Sequence, residues 1–105
     1  MSNRKRKQMM VVQGKNIRVS KTGKLNHTLY IIEQKSSGQS MVIDEAEKKE
    51  MVRLLAAALK SEADDAGEQL RLRRSRDFYI LESIQNPLTS LVLNQAEVRL
   101  LAMMQ

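Results

Sequence analysis

Residues 71–76 hold four arginines and no lysine: Arg71, Arg73, Arg74 and Arg76. A guanidinium group presents a planar fork of donors that fits phosphate oxygens and stacks on nucleic-acid bases. Leu70 and Leu72 alternate with Arg71 and Arg73, so in a strand the leucines would face a core and the arginines the opposite side. The pattern therefore predicts a surface that binds a polyanion.

A similar basic and apolar alternation occurs earlier in the chain, around Ile17, Arg18 and Val19. Tyr30 and Tyr79 occupy equivalent positions after the two basic segments, where they could stack on bases or pack in the core. The candidate nucleic-acid-binding residues are Arg18, Lys21, Lys24, Arg71, Arg73, Arg74, Arg76, Tyr30 and Tyr79.

Two other uses of the basic strands stay open. Charged side chains protect an edge strand against aggregation, and a basic face also fits an acidic protein surface. The charge is unevenly distributed, since residues 1–27 carry eight Lys or Arg and no acid within a net charge of +6. The segment 28–69 has five basic and nine acidic residues. This asymmetry favours one region that faces a polyanion and a separate acidic face.

The residues needed for catalysis are scarce. His27 is the only histidine and there is no cysteine, which excludes a histidine-pair metal site, a thiolate metal site and a cysteine nucleophile. The four glycines are isolated, so no phosphate-binding glycine loop is present. We expect a protein that is not an enzyme and has no catalytic residues, no metal and no cofactor.

The elements that would position these residues occur twice along the chain. TLYIIE at 28–33 and SMVIDEAE at 40–47 match DFYILE at 77–82 and SLVLNQAE at 90–97. Each pair of apolar runs, separated by a polar loop, predicts two strands. Each second run leads into an apolar helical pattern, so the two copies predict strands followed by a helix.

Both helices begin with a capping signal. Asp44 precedes Glu47 by three residues, and Asn94 precedes Glu97 in the same way, as a capping box requires. Met51, Leu54, Leu55, Ala58 and Leu59 form the apolar stripe of the first helix, and Glu45, Lys48, Lys49 and Arg53 form its solvent side. Turns are expected at 13–16 and 21–24, and a strand-like segment at 70–84.

The predicted fold class is α+β, with two pseudo-repeated antiparallel β units whose sheets are each covered by an amphipathic helix. Residues 1–8 are expected to be a flexible basic arm. A single α+β domain would follow over 9–105, with copy one at 9–60, a linker at 61–68 and copy two at 69–105.

The order of short strands and a closing helix resembles the β-β-β-β-α unit of the positive-cofactor-four, whirly and Pur-alpha group. The matching residues are Ile17-Arg18-Val19, Leu29-Tyr30-Ile31-Ile32, Met41-Val42-Ile43-Asp44 and Leu54-Leu55. The resemblance extends over most of 9–60 and, less completely, over 68–104. It implies binding of single-stranded nucleic acid.

The expected function is that of a noncatalytic nucleic-acid-binding protein, a small regulator of transcription or nucleic-acid processing, with single-stranded DNA or RNA as the favoured partner. The alternative is a small modulator or inhibitor that docks on an acidic surface of a larger protein complex. A homodimer through Leu100, Leu101, Met103 and Met104 is expected, because this short helix end carries more apolar side chains than a small sheet covers. No apolar run is long enough to cross a membrane, and a cytoplasmic location is expected.

Overall fold

Four strands and a helix follow one another twice in the computed structural model, which describes residues 8–24, 27–60, 65–86 and 88–104. The first sheet has the order β1-β2-β3-β4 and the second β5-β6-β7-β8, and all pairs are antiparallel. Over these residues the protein is therefore α+β, with two antiparallel sheets and two helices. The elements are β1 Gln8–Gln13, β2 Ile17–Lys24, β3 His27–Gln34, β4 Ser40–Asp44, α1 Glu45–Ala58, β5 Asp65–Ala66, β6 Leu70–Ser75, β7 Phe78–Ser83, β8 Ser90–Leu93 and α2 Gln95–Ala102.

Each sheet has one face toward the core and one toward solvent, as the alternating burial along its strands shows. In β6, Leu70 and Leu72 are buried while Arg71 and Arg73 are exposed, as the sequence predicted. The inward residues of both sheets join those of α1 and α2 in one hydrophobic cluster. Because successive side chains of a strand point to opposite faces, the side away from this cluster is here called the outer face.

Both predicted helix starts are confirmed. The Asp44 carboxylate accepts from Glu47 N at 2.8 Å, and the Glu47 side chain accepts from Asp44 N at 2.9 Å. Asn94 and Glu97 make the same pair of bonds at 2.8 and 2.9 Å. Each capping box satisfies backbone N–H groups that the first turn of a helix otherwise leaves unpaired.

Each helix contacts residues from the other half of the chain. Gly67, beside β5, lies against the side chain of Glu50 in α1, and Gly14, between β1 and β2, lies against Leu100 in α2. The Glu50 carboxylate also accepts from Gln69 N at 2.9 Å and from Leu70 N at 2.7 Å. These contacts tie each helix to the sheet that comes from the other half of the chain.

A buried glutamate on α2 and polar side chains of the first half of the chain complete this connection. The Glu97 carboxylate is buried and accepts from Asn16 Nδ2 at 2.7 Å, and Gln34 Nε2 donates to the Val92 carbonyl at 2.6 Å. Residues from β3, the turn before β2, β8 and α2 therefore meet at one place between the sheets. A buried carboxylate is tolerated there because hydrogen bonds replace its lost hydration.

Two predicted boundaries were wrong. Residues 21–24 are not a turn, since β2 continues through them and Gly23 pairs with Thr28. Residues 70–84 are not one strand but two, joined at Arg76 and Asp77. Arg76 has a φ of 56°, a left-handed conformation that is uncommon for residues other than glycine.

Other differences are smaller. The predicted linker 61–68 includes the two-residue strand β5, which pairs with β6 as the outermost strand of the second sheet. Lys48 is only 4% exposed rather than on the solvent side of α1. Its ammonium group lies 5.5 Å from the centre of the Tyr30 ring and pairs with Glu45 at 3.1 Å. Leu59 is half-exposed and follows the end of the helix. The basic residues 1–7 of the expected arm lie outside the described residues.

Candidate nucleic-acid interface

The outer face of the second sheet carries two neighbouring arginines, Arg71 and Arg73, called here the arginine row. Their side chains are 45% and 49% exposed. They lie two residues apart on one strand, so both point to the same side. The strand alternation seen in the sequence thus places both guanidinium groups on the outer face.

Glu82 lies opposite Arg71 on the neighbouring strand β7 and is only 5% exposed. Its Oε2 accepts hydrogen bonds from Nε and Nη2 of Arg71, and its Oε1 accepts one from Nη2 of Arg73 at 3.3 Å. The hydrogen bond from Arg71 is the main cause that lowers the pKa of the Glu82 carboxyl below its ordinary value. Two arginines over one carboxylate leave an excess of one positive charge.

The guanidinium groups keep donors beyond those directed at Glu82. An arginine has five N–H donors in a fixed plane, and Arg71 directs only two of its nitrogens at the carboxylate. The carboxylate restrains the orientation of both side chains. A restrained guanidinium loses less conformational freedom when it binds a phosphate oxygen.

The first sheet has an arginine–glutamate pair at the equivalent position. Arg18 lies opposite Glu33 in the pairing of β2 with β3, as Arg71 lies opposite Glu82 in the pairing of β6 with β7. Nε and Nη2 of Arg18 donate to Glu33 Oε1 at 3.1 and 3.0 Å. Both side chains are 40% exposed, so this pair is neutral and hydrated, and it contributes less charge than the arginine row.

An apolar strip lies next to the arginine row. Ile80 pairs with Arg73 and Val92 pairs with Ile80, so the three side chains cross the outer face side by side. Phe78 begins the same strand and is 50% exposed on this face. Phe78 was not among the residues predicted from the sequence, although its spacing of two from Ile80 and four from Glu82 could have indicated it.

The tyrosines lie on the opposite side of the sheets. Tyr30 and Tyr79 are 3% and 2% exposed in the hydrophobic cluster, so neither ring has a face available for a base. The Tyr30 hydroxyl donates to Glu45 Oε1 at 2.8 Å, and burial together with this bond raises the pKa of Tyr30 to about 12. Their positions therefore favour packing in the core over stacking on bases.

The other basic residues that the sequence grouped with Arg71 and Arg73 do not lie in the arginine row. Arg74 Cζ is 5.1 Å from the centre of the Tyr79 ring, and Lys21 Nζ is 6.0 Å from that of Tyr30. Both side chains are on the core side of their strands, because each is an odd number of residues from the outward arginine of its own strand. Arg76 is exposed in the β6–β7 turn, and the Lys24 side chain lies outside the described residues.

Within the described ranges, no cluster of three or more histidine, aspartate or glutamate side chains is arranged to hold a metal ion. His27 is exposed at the first position of β3. None of the helices in those ranges is long and apolar enough to cross a membrane.

Comparison of the chain with protein-family models, with curated proteins and with solved structures found no match.

Proposed function

We propose that this protein is a noncatalytic nucleic-acid-binding protein that uses the outer face of its second sheet. The observation that carries the proposal is the arginine row, two half-exposed guanidinium groups restrained by one buried carboxylate. Such groups fit phosphate oxygens, which accept hydrogen bonds from the N–H groups that do not bond the carboxylate.

Phe78 supports a single-stranded partner. A base can stack on an exposed ring only when it is not paired in a duplex, and one such contact contributes about 1–3 kcal/mol. Phe78, Ile80 and the arginine row lie on one face of two paired strands. This face would hold phosphates at the arginines and a base at the phenyl ring. Tyr30 and Tyr79 have no part in this proposal, because their rings are buried.

We infer further that the chain is a duplication of one β-β-β-β-α unit, with each sheet closed by a helix. The supporting observations are the matched arginine–glutamate pairs, the two capping boxes and two equivalent turns. Gly14 N donates to the Ile17 carbonyl and Gly67 N to the Leu70 carbonyl, both at 2.8 Å. The resemblance to the positive-cofactor-four, whirly and Pur-alpha group belongs to the same proposal, as does a role in regulating transcription or nucleic-acid processing.

The alternative function is that of a modulator that docks on an acidic protein surface. The observation that favours it is the aliphatic character of the outer faces, where Val42 and Val92 are 55% and 45% exposed. Aliphatic side chains give protein interfaces their buried area, whereas stacking needs aromatic rings.

Fluorescence anisotropy with labelled single-stranded DNA, duplex DNA and RNA of equal length tests the two functions. The proposal expects binding to at least one bare single strand, with affinity falling as salt rises and a weaker interaction with duplex. Failure to bind any of the three at low salt would reject the nucleic-acid function. It would leave the protein-docking alternative.

A further inference from the structure

The strand β1 forms one edge of the first sheet. Within the described part of the chain it pairs only with β2. Its sequence QMMVVQ contains no charged residue, and Met9, Met10 and Val11 are 61%, 50% and 38% exposed. An edge strand carries backbone N–H and C=O groups that face away from its neighbour, so this edge is ready to pair with another strand.

The other sheet edges differ from β1. Strands β4 and β8 pack against each other, and Gln34 reaches from β3 to the carbonyl of Val92 in β8. The fourth edge, β5, is two residues long. Proteins commonly shorten, cover or charge their edges to prevent association. Among the described strands, β1 shows none of these three protections, although the register shift between Met10 and Val12 is a bulge, another device found at edges.

A groove beside β1 adds apolar surface. It has a volume of about 450 Å³ and is lined by Val11, Val12, Gln13, Leu100, Met103 and Met104. Met103 is 75% exposed, whereas Leu101 and Met104 are buried in the core of their own chain. Of the four residues expected to make a homodimer, Leu101 and Met104 are therefore not available. The exposed apolar surface extends instead from Met103 toward β1.

We propose that a second copy of this chain occupies this edge, with the two β1 strands antiparallel about a twofold axis. The strand has a glutamine at each end and four apolar residues between them, so it is complementary to itself when reversed. Antiparallel pairing places apolar side chains opposite apolar ones and no charge opposite a like charge. An acidic peptide would find no cation on this strand, and a nucleic acid would gain little from its methionines.

The pairing joins two first sheets into one, and Met103 of each copy lies near the junction. A six-residue edge is small compared with the roughly 1,200 Å² of a standard interface, so the dimer is expected to be a weak one. The proposal does not depend on nucleic-acid binding.

Sedimentation equilibrium of the full chain over a range of concentrations measures the association. We expect a reversible dimer whose dissociation constant rises at least tenfold in Met9→Lys and in Val11→Lys, because each adds a charge from both copies to an edge contact that is otherwise uncharged and apolar. Val42→Lys adds the same charge to an exposed position on β4, at the opposite edge of the sheet, and is expected to leave the dimer unchanged.

A wild-type chain that stays monomeric at the highest soluble concentration would overturn the proposal. So would a dimer that is lost in Met103→Lys but unaffected in both β1 variants, since that result would place the contact at the end of α2.

Disulfide formation gives a second readout, because the chain has no cysteine of its own. Val11→Cys is expected to form a covalent dimer on mild oxidation, whereas Ser36→Cys, in the exposed loop after β3, is not. Equal cross-linking of the two variants would contradict the proposal. Circular dichroism of each variant confirms that it folds.

Discussion

Arg71 donates from both Nε and Nη2 to one oxygen of Glu82, which places a buried carboxylate beside the exposed arginine row. The carboxylate is well paired, so its charge stabilises the folded protein although it is removed from water. This relationship links the stability of the second sheet to the ionisation of a residue within the candidate interface.

The first prediction concerns pH. Because the pKa of Glu82 is lowered in the folded protein, its ionisation stabilises the fold above the ordinary value of 4.5, and this contribution is lost as the pH falls through the folded pKa. We expect Glu82→Gln to lower the free energy of unfolding by about 1–3 kcal/mol near neutral pH. The difference between wild type and variant should shrink at an acidic pH, well below 4.5.

Urea denaturation at the two pH values measures both effects. Comparing the variant with wild type removes the contribution of Glu45, whose pKa is also lowered. A difference in stability that does not change with pH would show that the Glu82 charge has no role.

The second prediction concerns the salt dependence of binding. In Arg71→Gln/Arg73→Gln, affinity for a single-stranded oligonucleotide should fall, and the slope of log affinity against log salt should decrease by about one to two units, since each lost phosphate contact removes about 0.7–0.9. Arg53→Gln/Arg99→Gln removes the same charge from exposed positions on the two helices. That control should change the slope much less, and equal losses in the two double variants would argue against a specific face.

The third prediction separates the aromatic residues. Phe78→Ala should weaken binding by about 1–3 kcal/mol if the ring stacks on a base. Tyr79→Phe should leave the affinity unchanged, because that ring is 2% exposed and lies in the core. Anisotropy titrations at one salt concentration make the comparison, and a larger loss for Tyr79→Phe would contradict the assignment of the outer face.

The sequence predicted the elements whose signals are local. Strand β3, His27–Gln34, contains the predicted run 28–33, and both capping boxes lie where their spacing indicated. The hairpin at Arg76 and Asp77 was missed because no glycine, proline or asparagine marks it. Asp77 is a common turn residue, but Arg76 is not, and the chain accepts a positive φ at Arg76.

The composition of the candidate interface was harder to predict. Clustering in sequence grouped Arg74 with Arg73, yet adjacent residues of a strand face opposite ways, and Arg74 contacts the buried Tyr79. The role of Glu82 depends on the pairing of β6 with β7, which a single strand does not specify. Likewise, the burial of Lys48 depends on Glu45 and Tyr30, which lie beside it only in the folded chain.

The fourth prediction concerns the two helix caps. Asp44→Ala and Asn94→Ala should each lower the free energy of unfolding by about 0.5–2 kcal/mol, because each leaves a first-turn N–H group without its acceptor. The costs should be similar, since the two capping boxes share the same bonds. Gln95→Ala, an exposed change at the first position of α2, serves as the control and should stay within about 0.5 kcal/mol. Urea melts report all three values.

The last prediction tests the crosswise contact between the halves of the chain. A Cβ added at Gly67 would overlap the side chain of Glu50, which accepts two backbone hydrogen bonds from Gln69 and Leu70. Gly67→Ala should therefore displace Glu50 and lower the free energy of unfolding by about 1–3 kcal/mol, the cost of leaving buried donors unsatisfied.

Two other glycines provide matched controls for this change. At Gly14 the one close contact of a Cβ is the flexible end of Leu100, and Ile17 lies at ordinary van der Waals distance, so Gly14→Ala should cost less than Gly67→Ala. At Gly23 nothing lies within 4 Å, and alanine there should be close to neutral. Urea melts of the three variants decide the order of their stabilities. If Gly67→Ala were as stable as Gly23→Ala, the contact of α1 with the second sheet would not be a stabilising one, because the same methyl group would then be accepted equally in open space and against Glu50.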